Sequence, residues 1–487
     1  MKNKLNILLL AVSFFAISSC ARNPVTGKKQ VVFMSEAQEI AMGKDADPQI
    51  IAQFGLYEDS SLQRFINEKG KQMAAVSHRP GLDYNFRIVN SEVLNAFAVP
   101  GGYVYFTRGI MANFNDEAAF AGVLGHEIGH ITARHSVAQQ RNSLLGQLGI
   151  IAGVVLAPNL AQFAETASQG IGLLFLKFGR DDERQADQLG VEYSSKINYD
   201  AHEMAIFFNT LERQSQKSGA GEIPEFLSTH PNPGDRNATV TKLAEDWKQK
   251  LKLTNPQINR NTYLKRIEGL VYGEDPREGY RENNIFYHPV LKFQFATPVG
   301  WNYQNTPQRV QLAPANGKAL MFLTAAPGKT LQEAATALVQ QNNLGVLDSK
   351  EEMVNGLRAI KIVADVKPAQ QQRQQQQQPA TIRTLSYLIQ QGETIYLMLG
   401  VSSITDFDTY INYFRNSMES FRVLTDAAKI NKQPERIHIK TLRAGGTLRS
   451  AFAEYKVPEK RMEELSIVNG MQLTDKVTAG MLIKVVE

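Results

Sequence analysis

Apolar residues recur at helical spacing through the first half of the chain and in short runs through the second half. Residues 35–43, 60–75 and 115–139 carry apolar side chains three or four positions apart, which predicts helices. Residues 86–89 and 103–107 are typical of strands, and the second follows a Pro-Gly-Gly turn. The chain up to about residue 255 is therefore predicted to be mostly helical, with a small sheet.

The pattern changes near residue 280, where short strands become dominant. Helical stretches at residues 331–341 and 404–418 are interleaved with these strands, so residues 280–426 are predicted to form a separate α/β domain. The predicted strands are residues 291–295, 310–312, 319–324, 359–363, 382–389 and 394–401. Residues 368–380 are rich in glutamine, which cannot form a packed core, and are predicted to be a disordered loop.

Composition and charge are those of an ordinary globular protein. The 487 residues are 43% hydrophobic and 21% charged, which excludes collagen-like, wholly disordered and disulfide-scaffold proteins. Lys and Arg number 53 against 48 Asp and Glu, and this small excess is spread along the chain without a dominant basic block. Nucleic acid is therefore not an expected partner.

The first twenty residues have the pattern of an export signal that ends in the single cysteine of the chain. Lys2 and Lys4 precede an apolar run over residues 5–17, which is shorter than the roughly 20 residues that a membrane span needs. Small residues then lead to Cys20, and this arrangement resembles a bacterial lipoprotein signal, in which the cysteine is lipidated and becomes the first residue of the mature chain. An ordinary cleaved signal with a chance cysteine is the alternative.

Lipidation of Cys20 is favoured because the chain has no other thiol, and a disulfide within one chain is excluded for the same reason. Several acyl chains on one cysteine would anchor the protein to a membrane without spanning it. Ala21, rather than Asp, follows the cysteine, and the sorting rule for such lipoproteins then implies the outer membrane. We therefore expect a cell-envelope protein whose body faces the periplasm.

A His-Glu-x-x-His motif lies inside the helix predicted at residues 115–139. A spacing of four places His126 and His130 one turn apart on the same face, where both imidazoles can bind one Zn²⁺. Glu127 lies about 100° further round the helix, where it can take a proton from water. His135 is excluded as a ligand because its offset of five from His130 points it away from the metal face. A surface helix with coincidental histidines is the alternative.

A catalytic zinc ion needs a third protein ligand, and an acidic segment further along the chain offers two candidates. Glu183 and Asp187 lie one helical turn apart, so that one can bind the metal while the other orients a histidine. A solvated acidic face is the other interpretation, since Asp181 and Asp182 add to the charge of this segment.

Several motifs in this order resemble the HtpX/CAAX prenyl protease family of gluzincin zinc metalloproteases, in particular its periplasmic lipoprotein branch. They are Asn-Pro-Val-Thr-Gly at residues 23–27, Asn-Ala-Phe-Ala-Val-Pro-Gly-Gly-Tyr at 95–103, His-Glu-Ile-Gly-His at 126–130, Glu-Arg-Gln-Ala-Asp at 183–187, Ser-Thr-His-Pro at 228–231, and Arg236. The resemblance implies a zinc metalloprotease domain over residues 21–260, with one Zn²⁺ per chain. It also implies that Glu183 is the third zinc ligand and that Asp187 is its companion.

The same resemblance implies roles for residues outside the ligand set. His230 either occupies the fourth zinc position and silences the enzyme, or contributes to substrate and oxyanion binding. Arg236 is assigned to substrate binding, and it either pairs with an acidic partner at the site or stabilises the His-Pro loop. Asn95, Ala96 and Phe97 are assigned to substrate binding because proteases of this type hold the substrate as an added strand along a sheet edge. An ordinary core strand is the alternative for these three residues.

The two remaining parts of the chain resemble other folds. Residues 293–301 look like part of a PsbP/Mog1-type α/β sandwich, which carries no chemistry. Residues 437–487 resemble a LysM module, the small βααβ fold that binds peptidoglycan, although Gly446 stands where an Asp is usual and Ala479 where Pro is common. The LysM resemblance rests on Gly-Thr-Leu at residues 446–448, Val-Asn-Gly at 468–470 and Thr-Ala-Gly-Met-Leu-Ile at 478–483.

Together these features predict an α+β multidomain protein. A lipoprotein signal at residues 1–20 is followed by a mostly helical zincin-type metalloprotease domain with a small sheet, the α/β domain and the LysM-like module. The predicted function is zinc-dependent cleavage of misfolded, stalled or misassembled envelope proteins at the outer membrane, with peptidoglycan as a further partner through the LysM-like module. The alternative is a peptidoglycan-binding envelope lipoprotein in which the protease fold serves as a scaffold.

Overall fold

A computed structural model describes most of the chain. The described residues are 20–31, 34–137, 150–151, 154–155, 178–217, 225–230, 236–366 and 382–487. Of the predicted signal peptide only Cys20 falls within these ranges, and the glutamine-rich residues 368–380 fall outside them. The chain divides into two compact units. The first falls within Met1–Leu144, Gly170–Gly273 and Glu435–Glu487.

The first unit is mostly helical, as the apolar spacing predicts. Before residue 273 its helices are α1 Glu36–Phe54, α2 Ser60–Ala74, α3 Arg108–Asn113, α4 Glu117–Ala133, α5 Arg180–Lys196, α6 His202–Lys217, α7 Glu225–Thr229, α8 Arg236–Lys250 and α9 Arg260–Arg266. Helix α1 is longer than predicted. Helix α4 is shorter than predicted, because Arg134 adopts the left-handed conformation (φ 59°) and ends the helix there.

The small predicted sheet is present, together with an N-terminal hairpin. Strands β1 Cys20–Arg22 and β2 Lys29–Val31 form the hairpin. The sheet consists of β3 Asn85–Val89, β4 Ala96–Val99 and β5 Tyr103–Thr107. Its order is β3-β5-β4, with β3 parallel and β4 antiparallel to the central strand. Strand β4, which carries Ala96 and Phe97, therefore lies at the edge of its sheet.

Helices α4 and α5 pack against each other unusually closely. A Cβ atom on Gly190 of α5 would lie 2.9 Å from the carbonyl oxygen of Gly122 and 3.0 Å from the backbone nitrogen of His126, both in α4. Only glycine leaves room for this approach. The short distance between the two helices lets the acidic side chains of α5 reach the histidines of α4.

The second unit falls within Leu145–Gln169 and Glu274–Pro434 and is a sheet-based α/β domain. Its strands are β6 Ile150–Ile151, β7 Val154–Val155, β8 Tyr280–Glu282, β9 Ile285–His288, β10 Phe293–Ala296, β11 Asn302–Asn305, β12 Arg309–Ala313, β13 Ala319–Ala325, β14 Leu344–Val354, β15 Leu357–Val366, β16 Ile382–Gln391, β17 Thr394–Ser403 and β18 Arg422–Val423. A seven-stranded sheet has the order β11-β12-β13-β17-β16-β15-β14, and a four-stranded sheet has the order β18-β10-β9-β8. Its helices are α10 Leu331–Gln341, α11 Ile404–Glu419 and α12 Ala427–Ile430. The strands and the two longer helices predicted for this part of the chain are therefore confirmed.

The C-terminal residues belong to the first unit, although they are distant from the rest of it in sequence. They form β19 Ile437–Thr441, β20 Gly446–Thr447, α13 Leu448–Glu454, α14 Glu459–Val468, β21 Lys476–Val477 and β22 Leu482–Val486. Strands β19 and β22 pair antiparallel around the two helices. Ile437, Val468 and Leu482 are part of the hydrophobic core that also contains α4 and α5.

A buried lysine fastens this C-terminal part to the rest of its unit. The Nζ atom of Lys484, in β22, donates hydrogen bonds to the carbonyl oxygens of Ala112 and Phe114 at 2.9 and 3.0 Å. The side chain is fully buried, and burial holds its pKa well below the ordinary value. The two carbonyls lie at the end of α3, just before the helix that carries the His-Glu-x-x-His motif.

The chain leaves the first unit after Gly273 and returns to it at Glu435. The residues on the two sides of this break form a short antiparallel ladder. The backbone nitrogen of Tyr272 donates to the carbonyl of Glu435, and that of Ile437 donates to the carbonyl of Leu270, both at 2.8 Å. Residues 274–434 of the second unit are thus inserted between two segments of the first unit that pair with each other.

The α+β multidomain class predicted from the sequence is confirmed by these helices and sheets. Among the described residues, no helix has both the length and the apolar character that crossing a bilayer requires.

Candidate metal centre

Four buried side chains meet between α4, α5 and the residue after α7. His126 and His130 come from α4, Glu183 from the first turn of α5, and His230 directly follows α7. Each offers one ligand atom, and these four atoms all lie within 4.8 Å of one another. The Nε2 atoms of His126 and His130 are 3.0 Å apart, and the carboxylate oxygens of Glu183 lie 3.6 and 3.5 Å from them. The structure therefore brings together all three predicted ligands and His230.

The chemistry of this cluster fits a zinc ion. Imidazole nitrogens and a carboxylate oxygen are typical zinc ligands. Oε2 of Glu183 is buried and has no hydrogen-bond partner among the described residues, and Nη2 of Arg236 lies 3.5 Å from it, so this oxygen keeps a lone pair that can bind a metal ion. Burial holds the pKa of His126 and of His130 well below the ordinary value, so that both rings are neutral and keep a lone pair for a metal.

Asp187 and Arg236 fix the orientation of His126. The Nδ1 atom of His126 lies 2.9 Å from Oδ1 of Asp187, so Nδ1–H donates to the carboxylate and leaves the lone pair of Nε2 facing the cluster. Arg236 donates from Nε and Nη2 to the two oxygens of Asp187 at 2.8 and 2.7 Å. The guanidinium is buried, so of the two interpretations of Arg236 the structure shows the pairing with an acidic partner.

His135 and Gln185 form a second orienting pair that the sequence did not reveal. The Nδ1 atoms of His130 and His135 are 3.0 Å apart, and Nε2 of His135 lies 2.9 Å from Oε1 of Gln185. Only one proton fits between two Nδ1 atoms. We assign it to His130, since the amide oxygen of Gln185 can only accept and so places the proton of His135 on Nε2. The lone pair of His130 Nε2 then faces the cluster, as in His126.

The position of His135 has a clear structural cause. The offset rule that excludes it as a ligand assumes a continuous helix, but the left-handed residue Arg134 ends α4 directly before it. His135 lies outside the four-residue cluster, yet the turn brings its ring against that of His130. A feature of the sequence that could have indicated a partner for His135 is Gln185, which lies two residues after Glu183 in the same motif.

Replacing Gln185 by leucine should raise the zinc Kd by about 10-fold or more. The change removes the acceptor that fixes the ring of His135, and His135 in turn fixes the ring of His130. Zinc affinity is measured by competition with a chromophoric chelator. Arg184→Leu is the matched control, since Arg184 points to the half-exposed side of α5 and pairs with Asp181. Equal zinc affinities in the two variants would contradict the orienting role.

Glu127 lies beside the cluster with its carboxylate fully buried. Neither oxygen has a hydrogen-bond partner among the described residues, and Oε1 is 3.7 Å from Nε2 of His230. Burial raises the pKa of Glu127 to about 7, against the opposing effects of His230 and Arg236. A carboxylate that titrates near neutrality can both accept and release a proton at physiological pH.

His230 is held in the cluster by its own short helix. Its backbone nitrogen donates to the carbonyl of Phe226 at 2.8 Å, and its ring stacks on that of Phe226 with the centroids 4.6 Å apart. Its Nδ1 atom lies 3.0 Å from Oε1 of Glu183 and 3.3 Å from Nε2 of His126. Burial alone would lower the pKa of His230, but the carboxylates of Glu183 and Glu127 raise it above its ordinary value. His230 thus points at the position where a fourth ligand would sit.

Of the residues assigned to substrate binding, Asn95, Ala96 and Phe97 lie around the edge strand, whereas Arg236 is buried against Asp187. Asn95 precedes β4 and is buried, and its carbonyl accepts from the backbone nitrogen of Thr107 at 3.1 Å. Ala96 and Phe97 belong to β4, and the ring of Phe97 stacks on that of Tyr105. The backbone of β4 pairs with β5 on one side, so its other side is the sheet edge.

Several known proteins are similar to this chain over part of its length. The chain is 30% identical to the β-barrel assembly-enhancing protease of Yersinia pestis over 345 residues, which cover 67% of this chain and 65% of that protein. It is 28% identical to the protein of the same name from Escherichia coli K12 over 223 residues, covering 44% and 45%. It is 29% identical to the mitochondrial metalloendopeptidase OMA1 of Arabidopsis thaliana over 187 residues, covering 38% and 36%. The chain therefore spans less than two thirds of the length of these relatives.

Solved structures with some similarity include two small proteins. The cyanobacterial PsbP protein of Synechocystis matches 28% of this chain and 91% of its own, at 13% identity and a TM-score of 0.23. The Ran-binding protein Mog1p of Saccharomyces cerevisiae matches 31% of this chain and 99% of its own, at 9% identity and a TM-score of 0.24.

One protein family matches the part of the chain that holds the metal centre. Residues 60–244 match peptidase family M48, and this range includes Glu127, the four clustered side chains, and the residues that orient them. We conclude that residues 60–244 form a domain of peptidase family M48.

Proposed function

We propose that this protein is a zinc-dependent metalloendopeptidase of the cell envelope that hydrolyses misfolded or stalled envelope proteins. The proposal places it at the outer membrane, anchored by lipidated Cys20 and facing the periplasm. The observation that supports peptidase activity is the buried cluster of His126, His130 and Glu183, which has Glu127 directly beside it. The names of the relatives, a β-barrel assembly-enhancing protease and a metalloendopeptidase, support peptidase activity, and the first supports a role linked to β-barrel assembly.

The residues of the site suit peptide hydrolysis. A zinc ion held by His126, His130 and Glu183 supplies a Lewis acid that polarises a carbonyl and lowers the pKa of water. Glu127, with its pKa near neutrality, takes the proton from the attacking water and passes it to the departing amine. Asp187 and Arg236 keep the ring of His126 in place throughout.

Substrate would bind along β4. An extended peptide can add to a sheet edge through backbone hydrogen bonds, and Ala96 and Phe97 offer such an edge. Asn95, just before this strand, is buried with its side-chain oxygen unpartnered among the described residues, and it is the further candidate for a substrate contact. These three residues remain proposals for the substrate site.

A second candidate function is binding of peptidoglycan by the C-terminal residues. The βααβ order of β19, α13, α14 and β22 supports the LysM-like prediction for residues 437–487. The alternative in which the protease fold is only a scaffold is disfavoured, because a scaffold has no need for a complete ligand set and a buried general base. We therefore propose glycan binding, where it occurs, as an addition to peptidase activity.

Replacing Glu127 by glutamine should lower turnover by about 10²–10⁴-fold and leave zinc bound, because the base is lost while the ligands remain. The test measures casein cleavage and zinc content of the purified full-length protein and the variant. A variant with full zinc content and unchanged cleavage would refute the proposed function.

Replacing His230 by alanine should raise basal cleavage of an unfolded substrate while zinc stays bound. The reason is that His230 points at the fourth ligand position, where a side chain would block catalysis until it is displaced. If His230 instead stabilised the oxyanion, the same change would lower turnover by about 10²-fold. Cleavage and zinc content that both stay within about twofold of the parent would exclude either role.

A further inference from the structure

The segment that follows Cys20 covers the C-terminal end of helix α4. Asn23 is buried, and its side-chain amide donates a hydrogen bond to the carbonyl of Ala133, the last residue of α4, at 3.0 Å. The side-chain oxygen of Asn23 accepts from the backbone nitrogens of Val25 and Thr26 at 2.9 and 3.0 Å. This turn gives the Asn-Pro-Val-Thr-Gly motif a structural role that its place in the sequence does not reveal.

A second set of contacts joins helix α1 and the residue Met34 before it to the C-terminal end of α4. Arg79 donates to the carbonyl of Ile131 in α4 at 3.1 Å and to the buried carboxylate of Glu39 in α1 at 2.7 Å. Arg134 donates to Glu39 at 3.0 Å and to the carbonyl of Met34 at 3.0 Å. The last carbonyls of a helix need partners from outside it, and here the side chains of Asn23 and Arg79 supply two of them.

The distance from Cys20 to the metal centre is therefore short. Asn23 lies three positions after Cys20, and three fully extended steps of the chain span about 10 Å. His130 lies three residues before Ala133, which is about 4.5 Å along the helix axis. For comparison, a flexible tether of 20 residues would have a root-mean-square length of about 25 Å and would let the whole body move away from the membrane.

We propose that the N-terminal anchor holds the metal centre at the membrane surface, so that the polypeptides it cleaves lie at that surface rather than free in the periplasm. This inference rests on the proposed lipidation of Cys20 and on the proposed peptidase activity. The new element is that the N-terminal segment holds the protein body in one position relative to the anchor. We call this rigid attachment a fixed mount, in contrast to a flexible tether. The buried contacts of Asn23, Arg79 and Arg134 are the parts of the mount.

A fluorescence experiment measures this closeness without using activity. Cys20 is the only cysteine and would be acylated, so an Ala37→Cys substitution creates a single free thiol for a bimane label. Ala37 is exposed in the first turn of α1, between Glu36 and Glu39. The full-length lipidated protein is placed in vesicles of phosphatidylethanolamine and phosphatidylglycerol that carry nitroxide head groups. We expect strong quenching of the label.

The matched protein has the same label and a 20-residue Gly-Ser insertion between Ala21 and Arg22. This insertion leaves Cys20 and all contacts of Asn23 in place, and we expect several-fold weaker quenching. Asn23→Asp is the second variant, because it keeps the acceptor for Val25 and Thr26 but cannot donate to Ala133. It should show intermediate quenching and faster hydrogen exchange over residues 20–31. Unfolding midpoints report whether each variant folds like the parent.

Cleavage positions give the functional readout. An unfolded polypeptide with one cysteine is coupled to maleimide lipids in the same vesicles, and its fragments are mapped by mass spectrometry. The parent protein should cleave the substrate polypeptide close to the cysteine that is coupled to lipid. The insertion variant should also cleave it at positions further from that cysteine. Equal quenching and equal cleavage maps in the parent and the insertion variant would overturn the mount.

The anchor itself is tested separately. Cys20→Ser should yield a protein that is unprocessed or released from membranes. Unchanged mature mass and membrane fractionation in this variant would overturn both the lipid anchor and the inference built on it. By contrast, a quenched but inactive parent protein would refute the proposed peptidase function while the fixed mount stands.

Discussion

Replacing Glu183 by alanine should lower zinc affinity by at least about 100-fold and abolish turnover. A loss of 10- to 100-fold is typical for residues that only orient a ligand, and Glu183 is itself a ligand in our assignment. It is also the only carboxylate among the four clustered side chains, so its removal takes away the negative charge that attracts the cation. Zinc affinity is measured by chelator competition, and zinc content after gel filtration by mass spectrometry.

The double variant Glu183→Ala/His230→Ala sharpens this test. The single variant keeps three histidines whose nitrogens face one point, and three histidines can hold zinc weakly. The double variant keeps only His126 and His130 and should retain no zinc after gel filtration. If Glu183→Ala binds zinc as tightly as the parent, Glu183 is not the third ligand.

Removing residues 435–487 should unfold the metallopeptidase unit rather than merely remove a wall-binding module. Three of the lost side chains, Ile437, Val468 and Leu482, are in its main hydrophobic core. Burial of each such side chain contributes about 1.5–3 kcal/mol, and the total free energy of unfolding of a domain is about 5–15 kcal/mol. The truncated chain also leaves the carbonyls of Ala112 and Phe114 without Lys484. Circular dichroism during thermal unfolding measures the outcome.

Excision of residues 274–434, the larger part of the second unit, is the matched control for this truncation. Joining Gly273 to Glu435 by a short Gly-Ser linker removes residues 274–434 but keeps the ladder between Tyr272 and Glu435. This larger deletion should leave a folded unit that still binds zinc. A folded, zinc-binding truncation at Pro434 would show that the C-terminal residues are dispensable for the metal centre.

Local patterns in the sequence indicated which side chains of two helices would share a face, while the choice of Glu183 as the ligand and the roles of His230 and Arg236 came from the family resemblance. The spacing of His126, Glu127 and His130 follows from the period of a single helix, and the pair Glu183 and Asp187 follows from the same period. His135 escaped this reasoning because one left-handed residue, Arg134, redirects the chain. A single backbone angle is not visible in a hydrophobic pattern.

The joining of the C-terminal residues to the metallopeptidase unit could not be predicted for a different reason. The contact between Lys484 and Ala112 spans 372 positions, and no local period encodes a contact of that length. One signal was present, since Lys484 lies in the middle of an otherwise apolar strand. A charged residue there must either face water or find buried partners, and the sequence alone does not decide between them.

The insertion also sets an order in which the chain can fold. Closing a flexible loop costs entropy that grows with its length, and β22 cannot reach α3 until the residues between them have been brought together. If the inserted unit folds first, its ends meet, and the effective loop shrinks from about 160 residues to a short connection. Folding of the metallopeptidase unit should therefore wait for the insert, and a refolding experiment should show zinc binding as a late phase. During synthesis the same order keeps the metal centre incomplete until the last strand has emerged.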